Sequence, residues 1–557
     1  MGPPTSRRRY LTALGAAALG GLAGCQVRQE PTPTTTETPT ETPTETPTQT
    51  PAGPPELLRH GIQFSRDVDL VADLGADPTG TEPINALLTT AATAGTLIRV
   101  PEGRYQLDGR FMFEADTVGL LGEGDVTFVP PTGFDSILLD TNGGVHDEIV
   151  IENIDIDLSA PDTTAGIRIQ ARSRFHVEDV EYLGRGVDTI SGQVSAFLLS
   201  VSDPDGVGTL RRAVSKQGSR IDAYVNGNGR IAVWVGWDNK GTIRIEECDF
   251  REFGNNACYT SRTPGKVQIV DSYFLNNNAS SIRLGGKGSY AENCTIEIDL
   301  SKYTGPPLET TETGFNTRAI VVETGVQLNV PAIEPGAEIR NCTVLARDSP
   351  KSQSLIELSP QGRSMIVKDT TIVCDLDDTP AIRRAKPGEL PWRPYQQIPP
   401  EPHWISLDNV TITGTARGGE AIRIEGGTDS VISNCTIEQP GAGRNGIRFI
   451  DTVGCLIDGG TIDAGRYPIT IQYSGLADGQ CLLELDDLPQ LSSQELVIEA
   501  IPVLHELAAE LSDTCIVTAA PPYVSGTHES VIRIADIRAD ASSEPTVRVY
   551  GDVLFEA

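Results

Sequence analysis

The chain is 557 residues long, with 76 acidic against 44 basic residues and a formal net charge of −32. No basic stripe stands out, which argues against free DNA or RNA as the main partner. Only eight of the basic residues are lysines, all between Lys216 and Lys386; in molar salt, where screening contracts to about 3 Å, such a carboxylate-rich surface stays hydrated and soluble.

Residues 1–25 read as an address. Ser6-Arg7-Arg8-Arg9-Tyr10-Leu11 fits the twin-arginine export pattern, and the small-residue apolar run Thr12–Ala23 is too short to span a bilayer. It ends in Leu22-Ala23-Gly24-Cys25, which resembles a lipoprotein cleavage site with Cys25 as the acylated residue. With the acidic surface, this implies a haloarchaeal-type twin-arginine lipoprotein on the outer face of the cytoplasmic membrane, attached only through Cys25. The plainer alternative is an acidic exported protein. Residues 26–60, almost entirely Thr, Pro and Glu from Pro31 to about Pro55, cannot bury a core and form an extended stalk.

From residue 61 to 475 one phrase returns: apolar, any, Asn/Asp, small, any, apolar. It stands at Ile151–Ile156, Val177–Tyr182, Ile245–Phe250, Ile269–Phe274, Ile339–Val344, Leu407–Ile412, Ile432–Ile437 and Ile457–Ile462. Its fourth positions fall at 154, 180, 248, 272, 294, 342, 370, 410, 435 and 460. Gaps of 22 to 28 are one repeat, 48 and 68 two or more, and 40 one with an insertion. A second phrase interleaves at Gly166–Ile169, Ser281–Leu284, Ala421–Ile424 and Gly446–Phe449. Both alternate apolar and polar residues, the period of half-buried strands. Two or three short strands per repeat, with corner residues that tolerate left-handed backbone, predict a parallel β-solenoid of about a dozen rungs, on the order of 60 Å long.

The start of this region, Val71-Ala72-Asp73-Leu74-Gly75-Ala76-Asp77-Pro78-Thr79-Gly80, is followed by a helical stretch near Glu82–Ala94 and by Thr96–Tyr105, which contains Pro101-Glu102-Gly103-Arg104-Tyr105. These segments resemble the N-terminal cap of the pectate-lyase-like superfamily. With the repeats, the resemblance covers roughly residues 66–475. It implies an all-β, right-handed parallel β-helix whose open end is plugged by the helix. Residues 476–557 read as a C-terminal cap, with helical spacing over Ser492–Leu511 interrupted by Pro502, then short strands.

Nine cysteines follow Cys25. Cys248, Cys294, Cys342 and Cys435 share one repeat position with Ile154, Val180 and Val410, so they are expected inside as small hydrophobes. No Cys/His cluster has metal spacing, which argues against zinc. Five sequons begin at Asn278, Asn293, Asn341, Asn409 and Asn434; glycosylation and corner geometry both account for them.

The densest polar stretch, Trp234–Lys287, is the candidate site. Arg262 is the expected carboxylate clamp, Lys266 or Arg283 the base, and Tyr259, Trp237 and Asn256 the sugar-contacting residues. Cations hold a uronate carboxylate and make its α-proton acidic enough for β-elimination. Arg262-Thr263-Pro264-Gly265-Lys266 followed by Arg283 is loosely similar to the β-helix polysaccharide lyases, which use Lys or Arg as base and often calcium; no family catalytic motif matches residue by residue. Arg283 also fits the Ile-Arg-Ile phrases at Arg168, Arg423 and Arg448, where pairing with an acid on the next rung is the structural alternative. Two segments that break the spacing, Gly186–Ile231 and Pro380–Trp404, are candidate groove walls. The leading expectation is a polysaccharide lyase acting on acidic glycans. The alternatives are a non-catalytic glycan-binding or adhesive protein, and a structural envelope component.

Overall fold

The computed structural model describes residues 57–470, apart from 142–145, 188–193, 223, 225–228, 310–314, 324–333, 389–401 and 453; beyond 470, and at 326–327 and 396–397, it describes backbone strands alone. The twin-arginine segment, Cys25 and nearly all of the stalk lie outside the described residues. The expected stalk reaches residue 60, but Leu57–Arg59 is already a strand, paired antiparallel with Ile62–Phe64. Among the described residues no helix is long and apolar enough to cross a membrane.

From Arg66 onward the chain winds as a parallel β-helix with three sheets. Each strand pairs with the strand one turn later: Thr242–Glu246 with Lys266–Val270 on the first sheet, Asp249–Arg251 with Tyr273–Leu275 on the second, and Cys258–Tyr259 with Ile282–Leu284 on the third. The alternating pattern sends one residue set inward, where Phe197, Phe250 and Phe274 pack with tilted rings, neighbouring centroids 6.3 Å apart.

The recurring Asn/Asp marks the bend from first to second sheet. Asn153, Asp179, Arg212, Glu247, Asp271, Asn293, Asn341, Asp369, Asn409 and Asn434 stack there, all with φ between 48° and 57°. Asn and Asp enter this left-handed region more readily than other residues with a Cβ. The following residue points inward at every turn, and Cys248, Cys294, Cys342 and Cys435 are buried free thiols. The column also corrects the spacing. The gap of 68 holds one further copy, centred on Arg212 and Ala213, whereas the gap of 48 is a single turn with a long excursion, because Tyr290–Glu292 pairs directly with Ala337–Arg340. At this corner Asn341 donates from Nδ2 to Asn293 Oδ1 at 3.1 Å. Asn341→Val should lower unfolding free energy by about 1–2 kcal/mol, since a β-branched residue is strained there, while Asn341→Gly stays close to wild type; urea midpoints measure both.

The helix expected near Glu82–Ala94 forms over the shorter stretch Asn85–Ala91. The helix Asn85–Ala91 buries Leu88 and Ala91 in the main core. Tyr105 is fully buried and donates to the Pro101 carbonyl at 2.8 Å. A Cβ on Gly103 would meet Pro78 Cβ at 2.6 Å, so the two cap motifs press on one another where only glycine fits. At the other end the expected helix over Ser492–Leu511 is replaced by strands Glu495–Ala500 and Glu506–Leu511. Leu496 and Ile498 continue the third sheet opposite Ile469 and Ile471. Leu507 and Leu511, four apart, satisfy either period, and available strand partners decided the outcome.

Candidate functional site

On the third sheet, one outward row runs Leu198, Trp234, Tyr259, Arg283, Val321 and Glu357. Parallel register stacks successive members about 4.8 Å apart. Tyr259 is the centre of this row. Trp234 meets its ring edge-on, with centroids 4.8 Å apart, and the guanidinium carbons of Arg262 and Arg283 each lie 5.0 Å from its centroid. Three of the expected site residues therefore form one cation–aromatic step.

Their roles separate. Arg283 Nε lies 3.2 Å from Glu323 Oε2, and Ser261 Oγ donates to the same oxygen at 3.1 Å. Burial is the largest influence and would lower the Arg283 pKa, but Glu323 together with Tyr259, Tyr224 and Glu357 outweighs it and holds Arg283 above the ordinary arginine value. A base must be able to give up its proton, so the expectation of Arg283 as base is corrected: it is half of a buried ion pair. Arg262 is different. It is partly exposed, stacks on Tyr259, and has no carboxylate partner among the described residues.

The remaining expected residues scatter. Asn256 is buried, donating to Asn255 Oδ1 at 2.7 Å and accepting from Ser280 Oγ. Asn277 and Asn278, also fully buried, bond the backbone at Phe253, Phe250 and Ile221. The Asn-rich part of the stretch is thus the filling of the bend between second and third sheets, where amides satisfy carbonyls and N–H groups that no strand reaches. This removes Asn256 as a sugar contact and Asn278 as an accessible glycosylation acceptor in the folded chain. Asn293, Asn341, Asn409 and Asn434 remain exposed on the corner column. Trp237 is exposed at 46%, on the bend after Trp234. Lys266 is exposed at the start of a first-sheet strand, its stem beside Gly288, and no ion pair engages it among the described residues.

The expected groove walls also change. Gly186–Ile231 contains a full turn of the helix, including Phe197–Val201, Val207–Arg211 and Val214–Ser215. Its basic run is neutralised: Arg211 by Glu247 at 2.6 Å, Arg212 by Asp179 at 2.7 Å, Lys216 by Glu181 at 3.5 Å and Arg220 by Asp222 at 2.6 Å. Most of Pro380–Trp404 lies outside the described residues. Arg168 follows the structural alternative, pairing with Asp140 on the neighbouring rung at 2.6 Å, whereas Arg423 pairs within its own strand, with Glu425 at 2.8 Å.

A cleft of about 640 Å3 on the second sheet escaped the sequence reading; Lys216, Arg251, Tyr273 and Lys302 rim it. Its floor is Glu252, which accepts from the Thr304 backbone at 2.7 Å and from Arg185. Its cations are engaged, Arg251 with Asp249 at 2.5 Å and Lys302 with Glu297. Its lining comes from four successive turns and from the segment after Asp299, so no contiguous phrase marks it in the sequence. One group of metal-ligating residues occurs among the described residues, at His60, His176 and Glu178, away from this step in the chain.

No family model matches the chain, and a search of curated proteins finds no match. Among solved structures it is similar to the surface adhesin PfbA of Streptococcus pneumoniae, at 13% identity over 84% of this chain and 100% of that one, with a TM-score of 0.38. It is also similar to the catalytic unit of a GH87 alpha-1,3-glucanase from Streptomyces thermodiastaticus, at 13% identity over 88% and 68%, TM-score 0.34, and to a GH82 iota-carrageenase from A. fortis, at 11% over 65% and 73%, TM-score 0.29. Likeness at this level assigns no activity to the chain.

Proposed function

We propose that this is an exported, surface-held β-helix protein that recognises acidic polysaccharide at the Arg262–Tyr259 step. The observation that carries the reading is the state of Arg262. Its neighbours Arg251, Arg283 and Lys287 are bound to Asp249, Glu323 and Glu334, whereas Arg262 is stacked and partly exposed without an acid. A guanidinium pinned against a ring keeps its N–H edges for a carboxylate and loses little freedom on binding one. Trp234 borders the step, and Trp237, three residues further along the chain, exposes a ring that can take the face of a sugar. Molar salt suits such recognition, because it screens the −32 chain from a polyanion while leaving the stacked contact intact.

The narrower reading is β-elimination, and with Arg283 engaged it rests on Lys266 as the base. Glu323, already held by Arg283 and Ser261, offers little to a calcium ion.

Binding and ultraviolet absorbance of unsaturated uronate product, measured in molar KCl with calcium on a panel of uronate polysaccharides, test both. Arg262→Ala should weaken retention on the glycan by about tenfold or more, the loss of one charge-assisted contact. Lys266→Ala should abolish product and spare retention if elimination occurs. Retention unchanged in Arg262→Ala sinks the proposed step; retention without product in the wild type leaves a binding protein.

A further inference from the structure

We infer that His60, His176 and Glu178 form a transition-metal site, of the kind that takes Zn2+, which clamps the N-terminal hairpin onto the first sheet. His60 and Gly61 are the two-residue turn of the hairpin, with Arg59 opposite Ile62 and φ values of 50° and 78°. Two positive φ values in succession make the turn suited to Asn-Gly. A histidine in that first position gains no turn energy over asparagine, so turn geometry does not account for its side chain.

That side chain lies over the sheet. The His60 and His176 rings stack with centroids 3.5 Å apart and planes within 8°. Both then aim a nitrogen at one oxygen: His176 Nε2 lies 2.5 Å, and His60 Nδ1 4.0 Å, from Glu178 Oε2. Bonds of about 2.0–2.2 Å in a tetrahedral site set ligand atoms roughly 3.4 Å apart, between these two separations. The stacked planes must open for this, because one ion cannot lie in two parallel ring planes 3.5 Å apart; the exposed His60 ring has to swing out of the stack until its Nδ1 lone pair meets an ion held by His176 Nε2 and Glu178 Oε2.

The outer partners are those a metal site uses. His60 Nε2 lies 3.2 Å from Glu152 Oε2, which orients the ring and leaves Nδ1 for the ion. The other Glu178 oxygen is held by Arg212, itself fixed by Asp179 at 2.7 Å. Two imidazoles and one carboxylate suit Zn2+ and its neighbours in the series rather than calcium or magnesium. No spacing motif could announce the site, because one ligand comes from the hairpin and two from a strand laid beneath it.

The consequence is mechanical. Ile62 and Phe64 of the hairpin cover Leu97, Leu121 and Val150, a small apolar cluster on the outer face of the first sheet. A metal bridging His60 to Glu178 ties this lid to strand Thr164–Glu178, beside the existing bond from Arg174 Nη1 to the Gly61 carbonyl at 2.9 Å.

The test uses the full chain, stripped with chelator and titrated with Co2+ and Zn2+ in molar KCl with excess Mg2+, which occupies the acidic surface. Wild type should take up one Co2+ per chain with the visible absorption of a nitrogen-ligated, low-coordinate ion, displaced by Zn2+. His60→Gly preserves the turn and should remove the signal; His176→Gln should as well, and Glu152→Gln should weaken uptake about 10–100-fold. Trypsin cleavage at the exposed Arg59 and Arg66 should slow at least tenfold with Zn2+ in wild type alone. No visible absorption, or the same absorption in His60→Gly, overturns the site. Uptake of metal without slower cleavage overturns the clamp.

Discussion

Glu323→Leu should lower the unfolding free energy by about 3–5 kcal/mol, the cost of leaving a buried cation without its partner. Glu323 is fully buried, 3.2 Å from Arg283 Nε, and takes the Ser261 hydroxyl at 3.1 Å. One turn away, Arg318 is 2.9 Å from Glu357, which also accepts from Ser354 at 2.9 Å. Burial pushes the Arg318 pKa down, with Glu357 opposing and Arg283 adding to the depression. Removing Glu323 would set two buried guanidiniums against one carboxylate. The double variant Glu323→Leu/Arg283→Met should recover most of the loss, with a coupling above about 1 kcal/mol in a denaturation cycle. Additive losses would show that the pair is not a unit, and would return Arg283 to the list of candidate bases.

Arg384→Leu should act in the opposite direction and raise stability by about 3 kcal/mol at neutral pH. Arg384 occupies an inward position of the third sheet, between Leu358 and Ile424. It is fully buried; Nη1 reaches the Ala385 carbonyl, but Nε and Nη2 find no partner among the described residues. Burial lowers its pKa to about 10, only partly offset by Glu425. A base whose pKa falls on folding destabilises the fold wherever it is charged. The penalty is present in full below about pH 10 and fades as pH rises from there toward the ordinary arginine value. The wild-type deficit relative to Arg384→Leu should therefore be constant from pH 6 to 9 in chemical denaturation. Arg444 shows the contrast: equally buried, it donates to Gln439 at 2.7 Å, Thr379 at 2.9 Å and Gly418 at 3.0 Å. Its partners, not its charge, separate the two residues.

The sequence by itself determined the winding of this chain. A phrase with an apolar residue on either side of an Asn or Asp imposes two strands and a left-handed bend, and its recurrence stacks them in register. That was enough to place Cys248, Cys294, Cys342 and Cys435 in the interior. The physical reason is that these contacts are nearly one-dimensional: each residue meets its counterpart one turn away. The same locality explains the misreadings. Leu507 and Leu511 satisfy helix and strand spacing alike, and only the neighbouring strand chose between them. Tertiary structure alone decided which polar residues face water. Asn256 looks like a sugar contact and Asn278 like a glycosylation acceptor in sequence, yet both fill a bend whose backbone needs amides. Arg262 and Arg283 both look available to a substrate in sequence, as clamp and as base, yet Glu323, further along the chain, engages Arg283. His60, His176 and Glu178 share no phrase at all, and meet only because the hairpin folds across the first sheet. Repeats encode what lies above and below; what lies across a bend, or over a sheet, is set when the turns close.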